Sequence, residues 1–98
     1  MLDQMKKIME MKKQADKIKK ELDKVLIECT DVRGIKVTIN GSQYLQNIEI
    51  DDSWLNPDNK KRFHQELVRA VNLSVKKAQK AAAQKMQSTP GFNIPGLS

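Results

Sequence analysis

Along residues 2–24, apolar positions recur at alternating spacings of three and four: Ile8, Met11, Ala15, Ile18, Leu22 and Val25. That period puts them on one stripe of an α-helix. No Gly or Pro interrupts the run, so the spacing predicts one continuous helix suited to lying lengthwise on another. At Val25 the period changes to two. Val25, Ile27 and Cys29 alternate with Leu26, Glu28 and Thr30. A turn is expected at Asp31-Val32-Arg33-Gly34. Ile35, Val37 and Ile39 then alternate with Lys36, Thr38 and Asn40. Asn40-Gly41 reads as a hairpin turn, because both residues tolerate positive φ. Ile48 and Ile50 alternate with Asn47 and Glu49 in a third strand from Leu45 to Ile50. Three strands joined by short turns predict an antiparallel meander.

Asp51-Asp52-Ser53 closes the strand region, and Trp54-Leu55 is expected as a buried anchor beneath the connection. Asn56 suits an N-cap, Pro57 the first helical position and Asp58 the first turn. A second helix is predicted from about Pro57 to Gln87. Its apolar face is Phe63, Leu67, Ala70, Val71, Ser74, Ala78, Ala81 and Ala82, mostly alanine past Val75. The last stretch, STPGFNIPGLS, holds two Pro, two Gly and no charge, and reads as a flexible tail. The expected fold class is α+β: an α-β-β-β-α protomer with one domain over residues 1–87 and a tail over 88–98.

A chain of 98 residues leaves much apolar surface unburied on its own. The stripe Ile8, Met11, Ile18 and Leu22 is therefore expected to form a core or dimer seam. Self-association as a homodimer follows. Cys29 is the only cysteine. It is expected as a small buried hydrophobe rather than part of a disulfide or zinc cluster. The first residues, MLDQMKK, carry no apolar signal core, and no run approaches the ~20 residues that span a bilayer. A cytoplasmic protein without a membrane partner is the expectation.

The net charge of +6 is unevenly spread. Residues 1–24 hold eight Lys and five acids, net +3; residues 25–56 hold two bases and five acids, net −3; residues 57–98 hold eight bases and two acids, net +6. A polyanion would therefore meet the outer segments. At 100° per residue, Arg62, Arg69, Lys76 and Lys80 share a narrow sector of the second helix, about 27 Å long and away from its apolar face. Glu66 is the only acid beside it. Such a row of cations repels itself and is neutralised well by phosphates. On the first helix Lys13, Lys17 and Lys20 gather opposite the apolar stripe, but Glu10, Asp16, Glu21 and Asp23 interleave with them. The stripe alone does not separate DNA from RNA or from an acidic protein. Four aromatic residues (Tyr44, Trp54, Phe63, Phe92) are too few for a single-strand stacking platform.

No reaction chemistry emerges. His64 is the only histidine, Asp51-Asp52 lack further ligands at useful spacing, and the glycines form no phosphate loop. No nucleophile stands with a base. No catalytic residue, metal, cofactor or small-molecule substrate is expected.

Taken together, a Met/Lys/Gln-rich opening helix, Gly34-Ile35-Lys36-Val37-Thr38-Ile39-Asn40-Gly41, Ile48-Glu49-Ile50-Asp51, a long basic helix and the ending Thr89-Pro90-Gly91-Phe92-Asn93-Ile94-Pro95-Gly96 resemble the YbaB/EbfC family of bacterial nucleoid-associated proteins. The resemblance covers essentially the whole chain. It implies a tweezer-like homodimer that binds duplex DNA in the nucleoid with little sequence preference, and no enzymatic activity. It does not specify which side chains touch DNA; the basic residues named above rest on helix geometry. A helical interaction module serving recombination or replication proteins is the alternative of another class.

Overall fold

The alternating β-branched residues of the middle strand create the surface on which the rest of the chain packs. The computed structural model describes residues 2–88. Its order is α1 (Leu2–Asp23), β1 (Leu26–Val32), β2 (Ile35–Asn40), β3 (Leu45–Ile50), two 3-10 turns (Asp52–Trp54 and Pro57–Asn59) and α2 (Lys60–Ser88). The strands form one antiparallel sheet in the order β1-β2-β3. The protomer is thus α-β-β-β-α, as the period changes predict. Ser88 is the last residue of α2; the rest of the expected tail lies outside the described residues.

Ile35, Val37 and Ile39 project from one face of β2 and are buried, with Ile39 and Val37 at 0% exposure. Helix α2 lies across β1 and β2 on that face. Ala70, Ser74 and Ala78 are its buried positions, and side chains this small let the helix axis approach the sheet closely. The Ser74 hydroxyl is satisfied by the Val71 carbonyl at 2.7 Å, so its burial leaves no orphaned polar group. Cys29, Val32, Ile35, Val37 and Ala70 form the core, with Trp54, Phe63, Leu67 and Leu73 packed around it. Cys29 is buried and unpaired.

Several local expectations change. β1 runs through Val32, and the turn is only Arg33-Gly34, with Gly34 at φ +82°. The register shifts between Cys29 and Val32. This bulge lets both face the core although they are three residues apart, and it leaves Thr30 and Asp31 exposed. At the β2–β3 hairpin the positive φ belongs to Gln43, at 70°, and not to Asn40 or Gly41. Asn40 acts through its side chain, whose Oδ1 accepts from the backbone N–H of Ser42 and Tyr44 at 3.0 and 2.9 Å. Leu55 is 66% exposed, so Trp54 alone anchors the connection. Asn56 does cap, but it caps the short 3-10 turn, accepting from Asp58 N–H at 3.0 Å; α2 itself begins at Lys60.

Only the end of α1 joins this body. Ile18 and Leu22 are buried, whereas Ile8 and Met11 are 65% and 64% exposed. The single stripe therefore divides into a docked inner half and an open outer half, and the molecule extends 65 Å by 23 by 20 Å. The junction is close because of Gly41, whose N–H donates to the carbonyls of Leu22 and Val25, both at 3.0 Å. A Cβ there would sit 2.9 Å from the Leu22 carbonyl oxygen. Gly41→Ala is therefore expected to destabilise the fold by about 1–3 kcal/mol through overpacking, read as a lower midpoint in urea denaturation with an unchanged slope.

Candidate nucleic-acid interface

Helix α2 has two flanks of opposite character. Lys77, at the margin of its buried face, reaches Asp31 of β1, Nζ to Oδ1 at 2.9 Å. That ion pair marks how the helix is turned: the flank with Leu73 and Lys77 faces the β1 edge. Continuing around the helix on this side brings Arg62, Arg69, Lys76 and Lys80 to the surface, all exposed. The opposite flank carries Val68, Val71 and Val75 and overhangs the β3 side. There Ile48, paired with buried Val37, is 36% exposed, and Leu45 is 45% exposed.

The four cations of the basic sector are not equivalent. Arg69 Nη1 contacts Glu66 Oε2 at 3.1 Å, so this arginine is partly neutralised by the one neighbouring acid. Arg62 lies over the Trp54 ring, 5.6 Å from the centroid. Lys76 and Lys80 have no ion pair among the described residues. Sequence spacing could place all four on one side, but only the structure separates the paired arginine from the free lysines. On α1, Lys13, Lys17 and Lys20 are exposed. Glu21 reaches across to Lys85 of α2 at 3.2 Å instead of holding a lysine of its own helix.

At the Arg62 end, a hollow of about 430 Å³ is lined by Arg33, Gly34, Asp51, Ser53, Trp54, Asn59 and Arg62. Sequence reading assigned Arg33 to the acidic middle and gave it no part. The outer face of the sheet is different: Lys36 lies between Glu28 at 3.3 Å and Glu49 at 3.7 Å and presents little net charge. No group of three or more His, Cys, Asp or Glu is placed to hold a metal among the described residues. No helix among them is long and apolar enough to cross a membrane.

A basic helix flank on a small α+β body is the kind of electrostatic footprint from which a class of nucleic-acid-binding modules is recognised. Comparison with known proteins names the family within that class. Residues 1–91 match the model of the YbaB/EbfC DNA-binding family, and the chain belongs to it. A nucleoid-associated protein of Pelotomaculum thermopropionicum is 33% identical over 95 residues, 95% of this chain and 90% of that protein. One from Chloroflexus aurantiacus is 33% identical over 89 residues, 90% and 88% of the two chains. One from Caldicellulosiruptor bescii is 33% identical over 63 residues, 64% of this chain and 56% of that protein.

The ion pairs away from the basic row make a testable electrostatic map. The Glu28 carboxylate, with Glu49 beside it, raises the Lys36 pKa above its ordinary value of 10.5. The hydrogen bond to Asp31 raises that of Lys77. Both pairs therefore add stability below about pH 10.5, which is lost as pH rises through the raised values. A 13Cε titration is expected to place Lys36 and Lys77 above the ordinary lysine midpoint. Glu28→Ala should return Lys36 toward it and leave Lys77 unmoved.

Proposed function

We propose that this protein is a non-catalytic, nucleoid-associated protein that binds duplex DNA mainly through phosphate contacts, with little sequence preference, as a homodimer. One observation carries the reading: Arg62, Lys76 and Lys80 stand exposed along one flank of α2, about 27 Å of helix, with Glu66 engaged only by Arg69. Exposed lysines on a helix flank match a line of phosphates and no base-edge pattern. Family membership and the relatives' names support DNA and the nucleoid as partner and place. The lysines of α1, Lys13, Lys17 and Lys20, assist from the second arm.

The homodimer reading rests on apolar surface that one protomer does not cover. Helix α2 packs mainly on β1 and β2, so the valine flank, with Val68 60% exposed, and the inner side of β3, with Ile48 36% and Leu45 45% exposed, are left partly uncovered. Ile8 and Met11 of the outer α1 stripe are open as well. A second copy seated on the valine flank would leave both basic flanks facing outward, free to grip one duplex. Light scattering at tens of micromolar is expected to give twice the 11.2 kDa chain mass. Ile48→Asp should shift it toward the monomer with the circular dichroism spectrum retained. A parent at monomer mass would overturn the dimer.

For the DNA reading, log affinity should fall linearly with log salt, by about 0.9 per phosphate neutralised. Replacing Arg62, Arg69, Lys76 and Lys80 together by Ala is expected to weaken duplex binding at least about tenfold at every sequence and to flatten that slope. Lys36→Ala is the control and should change little. If the quadruple variant binds as tightly as the parent at equal salt, the flank is only solvated, and the helical interaction-module reading takes precedence. Tighter binding of single strands or RNA than of duplex would also sink the proposal.

A further inference from the structure

We infer that Arg33, held by Trp54 at the β1–β2 turn, extends the basic flank of α2 into a two-arginine clamp for the sugar–phosphate backbone of duplex DNA. The inference rests on the DNA reading above and adds a site that neither charge blocks nor helix geometry suggest, because Arg33 belongs to the net-acidic middle of the chain.

Four observations join in one device. The Trp54 indole N–H donates to the Arg33 carbonyl at 3.1 Å, which holds the turn. Gly34 makes this approach possible: a Cβ there would lie 2.7 Å from Trp54 Nε1, and its φ of +82° is itself unfavourable for a side chain. The other side of the indole is set by Phe63, ring centroids 5.9 Å apart, so Trp54 is wedged between the turn and the start of α2. Arg62 then lies over this ring at 5.6 Å. A cation–π contact at this distance leaves Arg62 its charge and N–H donors for a phosphate.

Arg33 and Arg62 line the same 430 Å³ hollow. Asp51 also lines it, but its Oδ2 accepts the Ser53 hydroxyl at 2.9 Å, and the two guanidiniums leave the hollow net positive. Among the described residues no carboxylate pairs with Arg33. The hollow lies at the Arg62 end of the row that continues through Lys76 to Lys80. A backbone leaving that row at Arg62 would pass over the hollow that Arg33 also lines. Trp54 is a positioning residue here; Arg33 and Arg62 are the proposed phosphate ligands.

The test uses the full chain and a fluorescently labelled duplex of mixed sequence, with anisotropy measured at stepped salt. Arg33→Ala is expected to weaken binding about three- to tenfold and to lower the log–log salt slope by about 0.9 for the one phosphate that Arg33 neutralises. Arg33→Lys should keep most of the slope, since charge is retained, while giving up part of the affinity. Trp54→Phe keeps an aromatic ring but removes the N–H; it should weaken binding while the urea midpoint shows the fold retained. Trp54, the only tryptophan, should also change its emission on duplex addition in the parent. If Arg33→Ala matches the parent in affinity and slope while Lys76→Ala with Lys80→Ala weakens binding, the clamp is wrong and the DNA reading stands. If the parent itself shows no salt-dependent duplex binding, both fall.

Discussion

Close seating of α2 on the sheet is the contact on which the remaining architecture depends. Ala70, Ser74 and Ala78 are at most 1% exposed. They lie on the side of α2 packed on β1 and β2, where Val37 and Ile39 are the most deeply buried large side chains of the sheet. Small residues on the helix against β-branched residues on the strand give complementary relief, and larger helix residues would lift α2 away. Because α2 is pressed down there, its rotation is set, and the Lys77–Asp31 pair at 2.9 Å fixes it further. Rotation then decides which side chains face solvent on each flank. The basic row and the valine flank are thus consequences of core packing as much as of local composition.

The same seating explains how so small a body carries a helix of 29 residues. The sheet covers only the middle of α2. At the far end, α1 arrives through Ile18 and Leu22 and is tied by Glu21 to Lys85 at 3.2 Å. Ser42 adds a hydroxyl hydrogen bond to the Asp23 carboxylate, and Asn40 supports the hairpin against which Leu22 rests. Beyond this junction both helices run past the sheet. The outcome is a body from which lysine-rich helical ends extend.

Trp54 links the fold to the proposed interface. It contacts Phe63 at the rim of the core, bonds the Arg33 carbonyl and carries Arg62 over its ring. One side chain thereby couples the β1–β2 turn to the beginning of α2. It can do so only because Gly34 has no Cβ. The same packing that seats Trp54 thereby fixes the backbone of the Arg33 turn and the start of α2 relative to each other.

Periodicity alone determined the α-β-β-β-α order, the meander and the buried faces of β2 and α2, because side-chain period is a local property of helix and strand. The motifs of the chain were also enough to point to its family. Local pattern likewise put Arg62, Arg69, Lys76 and Lys80 on one side of α2. What it left undecided depended on neighbours distant in sequence. The stripe on α1 reads as uniform, yet Ile18 and Leu22 are buried and Ile8 and Met11 are open, since the partner for the inner half is the β2–β3 hairpin and the end of α2. Gly41 looks like a turn glycine, but its role is to admit the Leu22 backbone. Glu66 looks like a minor interruption of the basic row, but it engages Arg69. Arg33 looks like one of two bases in an acidic stretch, and only the path of the chain brings it beside Arg62, because contact across a fold is set by packing and not by spacing along the chain.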